Sequence, residues 1–330
     1  MTTFALFAAL GTASVFLAAV VLGVWWFDRY DREPLPLVAA VFGWGVFAVP
    51  ALVVSGSSVM LASMGGSPLG EGLASVAFYG PAVEELCKGL GILLVVRFSR
   101  HFDNPTDGLV YGTAVGLGFA TTENLLAGFS TASAFGGGAW LDSVVARTFL
   151  TAGIHAVCSA VLGAGFGFAV LTGRLVRRWL WIFGAMLAAI AIHGGWNWFV
   201  VRFPLGTSGV EPWMLIVPLY VAFMLVLSVL LLAEQKILIR QLADEVSLGT
   251  VPEWAVDVIP YYRRRVRSDW WPVRRERTVI SRLLTRLAFR KHAIACAGLG
   301  PKSIEGLEVV QLRKQARDML SPPADMSDLD

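Results

Sequence analysis

Apolar residues along this chain gather into long blocks that short polar stretches separate. Seven blocks are long enough to cross a bilayer, which takes about 20 apolar residues. They cover residues 4–27, 37–64, 73–96, 108–129, 146–172, 179–201 and 213–233. Such blocks favour membrane helices, because a helix satisfies its backbone hydrogen bonds within one segment. The pattern predicts an all-α, polytopic membrane bundle of about seven transmembrane helices.

The composition supports a membrane protein rather than a soluble domain. The chain has 330 residues, of which 56% are hydrophobic and 15% are charged, whereas soluble domains have about 25% charged residues. The first block lacks a basic N-terminal region and is longer than the apolar core of a signal peptide, so we interpret it as a retained helix. The three cysteines show neither metal-type spacing nor a disulfide framework.

Charge divides the sequence into a membrane domain and a tail. Residues 1–234 contain 10 Lys/Arg and 12 Asp/Glu, whereas residues 235–330 contain 17 and 12. We predict a helical membrane domain over 1–234, a basic, partly amphipathic-helical tail over 235–320 and a disordered end over 321–330. A basic tail after a membrane domain favours anionic lipid as its partner, and the sequence contains no recognisable nucleic-acid-binding motif.

The loops between the blocks predict the orientation in the membrane. Loops 28–36, 97–107 and 173–178 carry two, two and three arginines, whereas loops 65–72 and 130–142 carry none. By the positive-inside rule, the N-terminus lies outside and the basic tail lies in the cytoplasm. The loop 130–142 is rich in small residues, so we interpret it as a connector that faces outward.

Polar and ionisable residues interrupt four of the apolar blocks. They are Glu84, Glu85, Lys88, Glu123, Asn124, His155, His193 and Asn197. A charge at membrane depth costs at least roughly 2.5–3.5 kcal/mol, so such residues are functional by default. A single His or Asn often makes only a helix-to-helix hydrogen bond. The helical rise, however, places this set in one layer between the midplane and the outer leaflet, which favours an active site.

The residue types in this layer suggest hydrolytic chemistry. Glu84 and Lys88 are four residues apart and can form an ion pair on one helix face. Adjacent carboxylates repel each other, which can make either Glu84 or Glu85 a proton-transferring group. The amides of Asn124 and Asn197 can polarise a carbonyl or stabilise an oxyanion. A carboxylate that activates water, opposite a histidine and an amide, is sufficient for peptide hydrolysis.

Four short motifs on successive blocks form a recognisable set. They are Glu84-Glu85-x-x-Lys88, Phe119-x-x-x-Glu123-Asn124, His155 and His193-x-x-x-Asn197. Over roughly residues 30–235 the chain resembles the PrsW family of intramembrane proteases. The related CAAX prenyl proteases and Abi proteins typically have arginine in the place of Lys88 and histidine in the place of Glu123, so these two residues favour PrsW.

The resemblance implies a bacterial inner-membrane protease that cuts a membrane-anchored protein, classically an anti-sigma factor, on its extracytoplasmic side. Glu84 or Glu85 would be the base that activates water. His155 and His193 would orient the water or bind a metal, and Asn197 would support the oxyanion. The cofactor is then either a zinc ion, with Glu85, His155 and His193 as candidate ligands, or none. The lack of a His-Glu-x-x-His motif favours the second.

Two other functions fit the same polar residues. Glu, His and Lys also form relays in proton- or ion-coupled transporters, although the sequence shows no convincing inverted repeat. A non-catalytic scaffold could recruit partners through the basic tail, in which case Glu85→Ala would leave the function intact. We favour the endopeptidase, acting on a single-span membrane protein.

Overall fold

Helices make up the two compact units into which the chain divides. The computed structural model describes residues 2–63, 72, 75–135, 139–203, 211–267, 269–300 and 303–320. No strand occurs within these ranges, which confirms the all-α class. Unit 1 comprises Met1–Asp28, Glu33–Val170 and Leu175–Leu227, and unit 2 comprises Arg29–Arg32, Leu171–Arg174 and Ser228–Asp330. The predicted disordered end, 321–330, lies outside the described residues.

The helices of unit 1 follow the predicted apolar blocks. In chain order they are α1 (Thr2–Phe27), α2 (Leu35–Gly43), α3 (Val49–Ser63), α4 (Gly80–Phe98), α5 (Pro105–Phe135), α6 (Ala139–Ala146), α7 (Ala152–Val170), α8 (Leu175–Arg202) and α9 (Glu211–Ser247). π-helical turns at Trp44–Ala48, Ser75–Tyr79 and Arg147–Thr151 lie between or before these helices. α9 continues past the last apolar block into unit 2, so the tail begins as a helix.

Several of these helices are candidates to cross a membrane. Within the described residues, five stretches are long and apolar enough: Phe4–Phe27, Leu35–Gly56, Trp140–Val170, Leu175–Arg202 and Trp213–Ser247. The other two predicted spans, 73–96 and 108–129, correspond to α4 and α5. Both form as helices, and they carry the Glu-Glu and Glu-Asn motifs. The protein is therefore a multi-pass membrane protein.

The centre of unit 1 is the contact between α5 and α7. Residues 105–120 of α5 and residues 154–160 of α7 are all buried. The start of α5 is fixed by a reciprocal cap, in which the Asn104 side-chain oxygen accepts the backbone N–H of Asp107, and an Asp107 carboxylate oxygen accepts that of Asn104. This cap fixes where α5 begins and hence which of its residues face α7.

Glycines allow α5 and α7 to approach each other closely. A Cβ atom added at Gly112 would lie 2.1 Å from the carbonyl oxygen of Ser159, and one added at Gly116 would lie 2.3 Å from that of His155. Small residues four apart are typical of helix contacts in membranes. The backbone around His155 is therefore held directly against α5, which carries Glu123.

The predicted connector over 130–142 is mostly helical, so that expectation was wrong. α5 continues to Phe135, and α6 begins at Ala139. The Ser133 hydroxyl donates a hydrogen bond to the carbonyl of Phe129, four residues earlier. This bond returns the polar side chain to the helix backbone, so small polar residues here are compatible with helix.

Unit 2 is a small helical domain with its own core. After the end of α9 it contains α10 (Trp254–Val258), α11 (Tyr262–Arg267), α12 (Arg274–Ala297) and α13 (Ile304–Leu320). An apolar face of α12 is buried at Ile280, Leu284, Leu287 and Ala288, as an amphipathic helix requires. Glu245, which is fully buried, pairs with Lys291 at 2.6 Å and with Arg313 at 2.8 Å. These pairs connect the end of α9 to α12 and α13.

Gly112→Ala is expected to destabilise the protein by about 1–3 kcal/mol, because the new methyl group would overlap the backbone of α7. Gly184→Ala on α8 is the matched control, since a Cβ atom there meets nothing within 4 Å. The control should be neutral or stabilise by about 0.5–1 kcal/mol. Thermal unfolding of both purified variants tests this. Equal melting temperatures would contradict the close packing of α5 on α7.

Candidate active site

Lys88 lies at the centre of a buried cluster of charges. Its Nζ atom is 2.8 Å from Glu85 Oε1, 3.4 Å from Glu84 Oε2 and 3.0 Å from His155 Nδ1. The ammonium also lies 4.3 Å from the centre of the Phe119 ring, in cation–π geometry. The side chains of Lys88 and Glu85 are both fully buried. The i,i+3 and i,i+4 spacing on α4 places both carboxylates within reach of one lysine.

Glu85 connects the lysine to the histidine of α8. Its Oε1 atom accepts hydrogen bonds from Lys88 Nζ and, at 2.9 Å, from His193 Nδ1. The Ser159 hydroxyl donates to Oε2 at 3.4 Å. A carboxylate can only accept, so this network assigns the proton of a neutral His193 to Nδ1. The Nε2 lone pair then remains, 3.7 Å from Glu84 Oε2.

A second carboxylate orients His155. His155 Nε2 lies 2.6 Å from Glu123 Oε2, and Arg147 pairs with Glu123 Oε1 at 2.7 Å. Nε2 of a neutral His155 therefore donates to Glu123, and Nδ1 accepts from Lys88. The side-chain contacts of the cluster thus run from α4 to α7, then to α5, and end at the π-helical turn that contains Arg147.

Arg147 and Ser159 are members of this network that the sequence analysis did not identify. Arg147 stands at the second position of the predicted span 146–172. The signal that could have found it is its charge at the outer edge of an apolar block. π-helical turns occur frequently at functional sites.

The two asparagines occupy different surroundings. The Asn124 side-chain amide donates to Thr148 Oγ1 at 3.4 Å, so it belongs to the contact of α5 with the π-helical turn. Asn197 lies one turn after His193 on α8 and is partly exposed. The structure therefore brings six of the eight predicted residues into one network of direct contacts. Asn197 lies near this network by its helix position, and Asn124 is directed to Thr148.

The cluster has a buried side and an accessible side. The Glu85 and Lys88 side chains have no exposed surface, whereas those of Glu84 and Glu123 are 16% and 33% exposed. With both histidines neutral, three carboxylates face two cations, Lys88 and Arg147. The net negative charge favours uptake of a proton or a metal cation. A ligand that enters the site meets Glu84 before it meets Glu85.

Three side chains of the site also form a potential metal site. Ligand atoms of Glu84, His155 and His193 all lie within 4.8 Å of one another. Two imidazoles and one carboxylate match the donor set of catalytic zinc. The set therefore fits a metal, with Glu84 as the carboxylate rather than the predicted Glu85, whose Oε1 atom accepts from both Lys88 and His193. The Nδ1 atom of His155 is shared with Lys88, so binding would compete with that contact.

Comparisons with known proteins identify the family of this chain. A sequence profile described as "PrsW family intramembrane metalloprotease" matches residues 33–231, which is more than half of the chain. The chain belongs to the PrsW family. All the residues of the charge cluster lie inside the matched range, and the resemblance inferred over roughly 30–235 is confirmed.

Curated relatives of the PrsW family cover a similar part of the chain. Protease PrsW of Geobacillus kaustophilus is 32% identical over 177 residues, which cover 53% of this chain and 71% of that protein. Protease PrsW of Bacillus subtilis is 28% identical over 174 residues, 52% of this chain and 73% of the relative. The Clostridioides difficile protein of the same name is 25% identical over 197 residues, with coverages of 57% and 79%. No solved structure is a significant match.

Membership of the PrsW family decides between the functions that the sequence left open. The chain is an intramembrane peptidase, and the transporter and scaffold interpretations have no support from the comparisons. The family's description as a metalloprotease makes a metal possible, and Glu84, His155 and His193 are the residues that fit one.

Lys88→Met is expected to destabilise the protein by roughly 3–5 kcal/mol, because it leaves Glu85 as a buried carboxylate without its ammonium partner. The double variant Lys88→Met/Glu85→Gln removes both charges and should recover most of this loss. Unfolding free energies of the wild type, both single variants and the double variant form a double-mutant cycle. Additive effects of the two substitutions would show that the buried pair is not coupled.

Proposed function

We propose that this PrsW-family protein hydrolyses a peptide bond of a single-span, membrane-anchored protein with a water molecule held between Glu84 and His193. The observation that carries the proposal is the 3.7 Å separation between Glu84 Oε2 and His193 Nε2. The carboxylate oxygen and the Nε2 lone pair are both acceptors at a distance too long for a direct hydrogen bond. A water molecule can bridge them by donating one proton to each.

Glu84 is the base in this proposal, and Glu85 is a positioning residue. Glu84 is partly exposed, whereas Glu85 is fully buried and is engaged by Lys88 and His193. As the water oxygen forms a bond to the carbonyl carbon of the substrate, Glu84 takes one of its protons. The C–N bond then breaks, and Glu84 returns that proton to the departing nitrogen. The products are a carboxylic acid and an amine.

Other members of the cluster keep the reacting groups in place. Glu85 holds the Nδ1 proton of His193, so that Nε2 is directed towards the water. Lys88 favours the ionised form of Glu84, and Arg147 keeps Glu123 on His155. We assign stabilisation of the developing oxyanion to the side-chain amide of Asn197, one turn from His193. The Asn124 amide is less suitable, because it donates a hydrogen bond to Thr148.

A metal-dependent form of this chemistry uses the same residues. Glu84, His155 and His193 would hold the ion, with Glu123 orienting His155 and Glu85 orienting His193, as carboxylates commonly do for metal-bound histidines. A metal with these ligands supplies Lewis-acid activation of water. The contact of Lys88 with His155 Nδ1 supports the metal-free form, in which that lone pair is already used.

The proposed side of cleavage rests on the predicted membrane topology, and the proposed substrate rests on the family resemblance. In the orientation that the arginine-rich loops favour, the protein lies in a bacterial inner membrane with the basic tail in the cytoplasm. The charge cluster then lies between the midplane and the outer leaflet. An extended segment of a single-span protein, such as an anti-sigma factor, would be cut near its extracytoplasmic side. The basic tail would contact anionic lipid.

Glu84→Gln is expected to lower kcat by at least about 10²–10⁴-fold, because the amide cannot accept the proton of the water. The assay is cleavage of a panel of single-span substrates by the purified protein in detergent. Asp142→Asn is the matched control, since it makes the same change of acid to amide at an exposed position of α6. Glu84→Gln with wild-type activity and an unchanged melting temperature would refute the assignment of the base.

A chelator distinguishes the two forms of the chemistry. With phenanthroline, the metal-free form predicts unchanged cleavage by the wild type, whereas a bound metal predicts loss of activity that added Zn²⁺ restores.

A separate variant, Glu85→Gln, tests the positioning role of Glu85. It should lower kcat and leave KM unchanged, because the Nδ1 proton of His193 loses its carboxylate acceptor while the groups that contact the substrate stay the same. A raised KM with an unchanged kcat would contradict the positioning role.

A further inference from the structure

Unit 2 contains an arginine-lined pocket that the peptidase chemistry does not use. The pocket has a volume of about 340 Å³. Six arginines line it, namely Arg29, Arg32, Arg265, Arg274, Arg277 and Arg282. The acidic residue among the lining residues is Asp31. The lining therefore carries an excess of positive charge, which attracts anions.

The arginines come from three separate parts of the chain. Arg29–Arg32 form the short segment after α1, Arg265 lies on α11, and the remaining three lie on α12. Two fixed contacts hold the inner wall. Arg265 donates to the carbonyl of Arg29 at 2.5 Å and to Thr285 Oγ1 at 3.3 Å. These two hydrogen bonds hold the guanidinium of Arg265 in place, and neither of them is to a carboxylate.

The electrostatics of the inner wall agree with an anion site. Burial lowers the pKa of the Arg265 guanidinium, and the neighbouring Arg32 acts in the same direction, while Tyr30, Tyr262 and Asp31 raise it. Arg277 is paired with Asp269 at 2.9 Å, but that carboxylate is almost fully exposed. Arg274 and Arg282 lie at the exposed rim on the face of α12. The pocket thus has an inner wall that hydrogen bonds hold in place, and long, exposed arginine side chains at its mouth.

We infer that this pocket binds a phosphate group, with the rim arginines of α12 closing around its oxygens. Guanidinium groups bind phosphate oxygens in pairs of parallel hydrogen bonds, and Ser281 and Thr278 place hydroxyl groups in the same lining. The group can belong to a lipid headgroup or to a soluble phosphate compound. Arg29 stands two residues after Phe27, the last residue of a candidate membrane span.

The test measures binding to the full-length protein in neutral detergent, with two probes. Pyrophosphate binding is followed by calorimetry, and phosphatidic acid adducts are counted by native mass spectrometry. Arg274→Ala/Arg282→Ala should weaken binding by about tenfold or more, since each loses a charge-assisted contact. Arg263→Ala/Arg275→Ala is the matched control, because it removes the same charge from exposed positions of α11 and α12 outside the pocket lining. The control should bind as the wild type does.

A charge-conserving variant separates phosphate recognition from attraction by charge. Arg274→Lys/Arg282→Lys keeps the charge but removes the paired donors, so its affinity should fall between the wild type and the alanine variant. Binding of phosphatidic acid but not pyrophosphate identifies a lipid headgroup, and the reverse identifies a soluble phosphate; both support the site. Equal losses in the pocket variant and its control overturn the proposal, as does failure of the wild type to bind either probe. Neither readout depends on proteolysis.

Discussion

The buried ammonium of Lys88 is the interaction on which the site depends. It touches the two carboxylates of its own helix, the imidazole of α7 and the ring face of Phe119 on α5. An isolated charge could not remain at this depth, so Lys88 and Glu85 each make the burial of the other possible. Because Lys88 has contacts on three helices, it also fixes how those helices meet.

Two backbone features bring the remaining groups to this lysine. The glycine contacts of α5 with α7 hold the His155 backbone against α5, where Glu123 reaches the imidazole. The π-helical turn before α7 adds one residue to a helical turn. Arg147 lies in this turn and forms an ion pair with Glu123. The orientation of both histidines therefore follows from carboxylates that are themselves held by cations. Because Glu85 and Glu123 each contact one imidazole nitrogen, these hydrogen bonds favour one tautomer of each neutral histidine.

The sequence was sufficient to predict the apolar helices and six residues of the cluster, but neither its other members nor the pairings within it. An apolar block with Glu84, Glu85 and Lys88 identifies a polar layer, since the cost of burial requires a function or a partner. Arg147 was missed because a charge at the edge of an apolar block normally reads as an interfacial residue. Asn124 was expected in the site because it adjoins Glu123, yet neighbouring residues on a helix point about 100° apart, and its amide reaches Thr148. Such directions depend on helix packing, which one sequence does not contain.

The two adjacent glutamates of the motif, Glu84 and Glu85, have the same side chain but different surroundings. Glu85 is enclosed by a lysine and a histidine and has no exposed surface, so protonating it would weaken two contacts of the buried cluster. Glu84 has one edge accessible and faces the Nε2 lone pair of His193 at a distance suited to a bridging water. A general base must exchange protons with substrate in each turnover. We therefore propose the accessible carboxylate, Glu84, as the base, because its exchange of a proton leaves the buried pair of Lys88 and Glu85 intact.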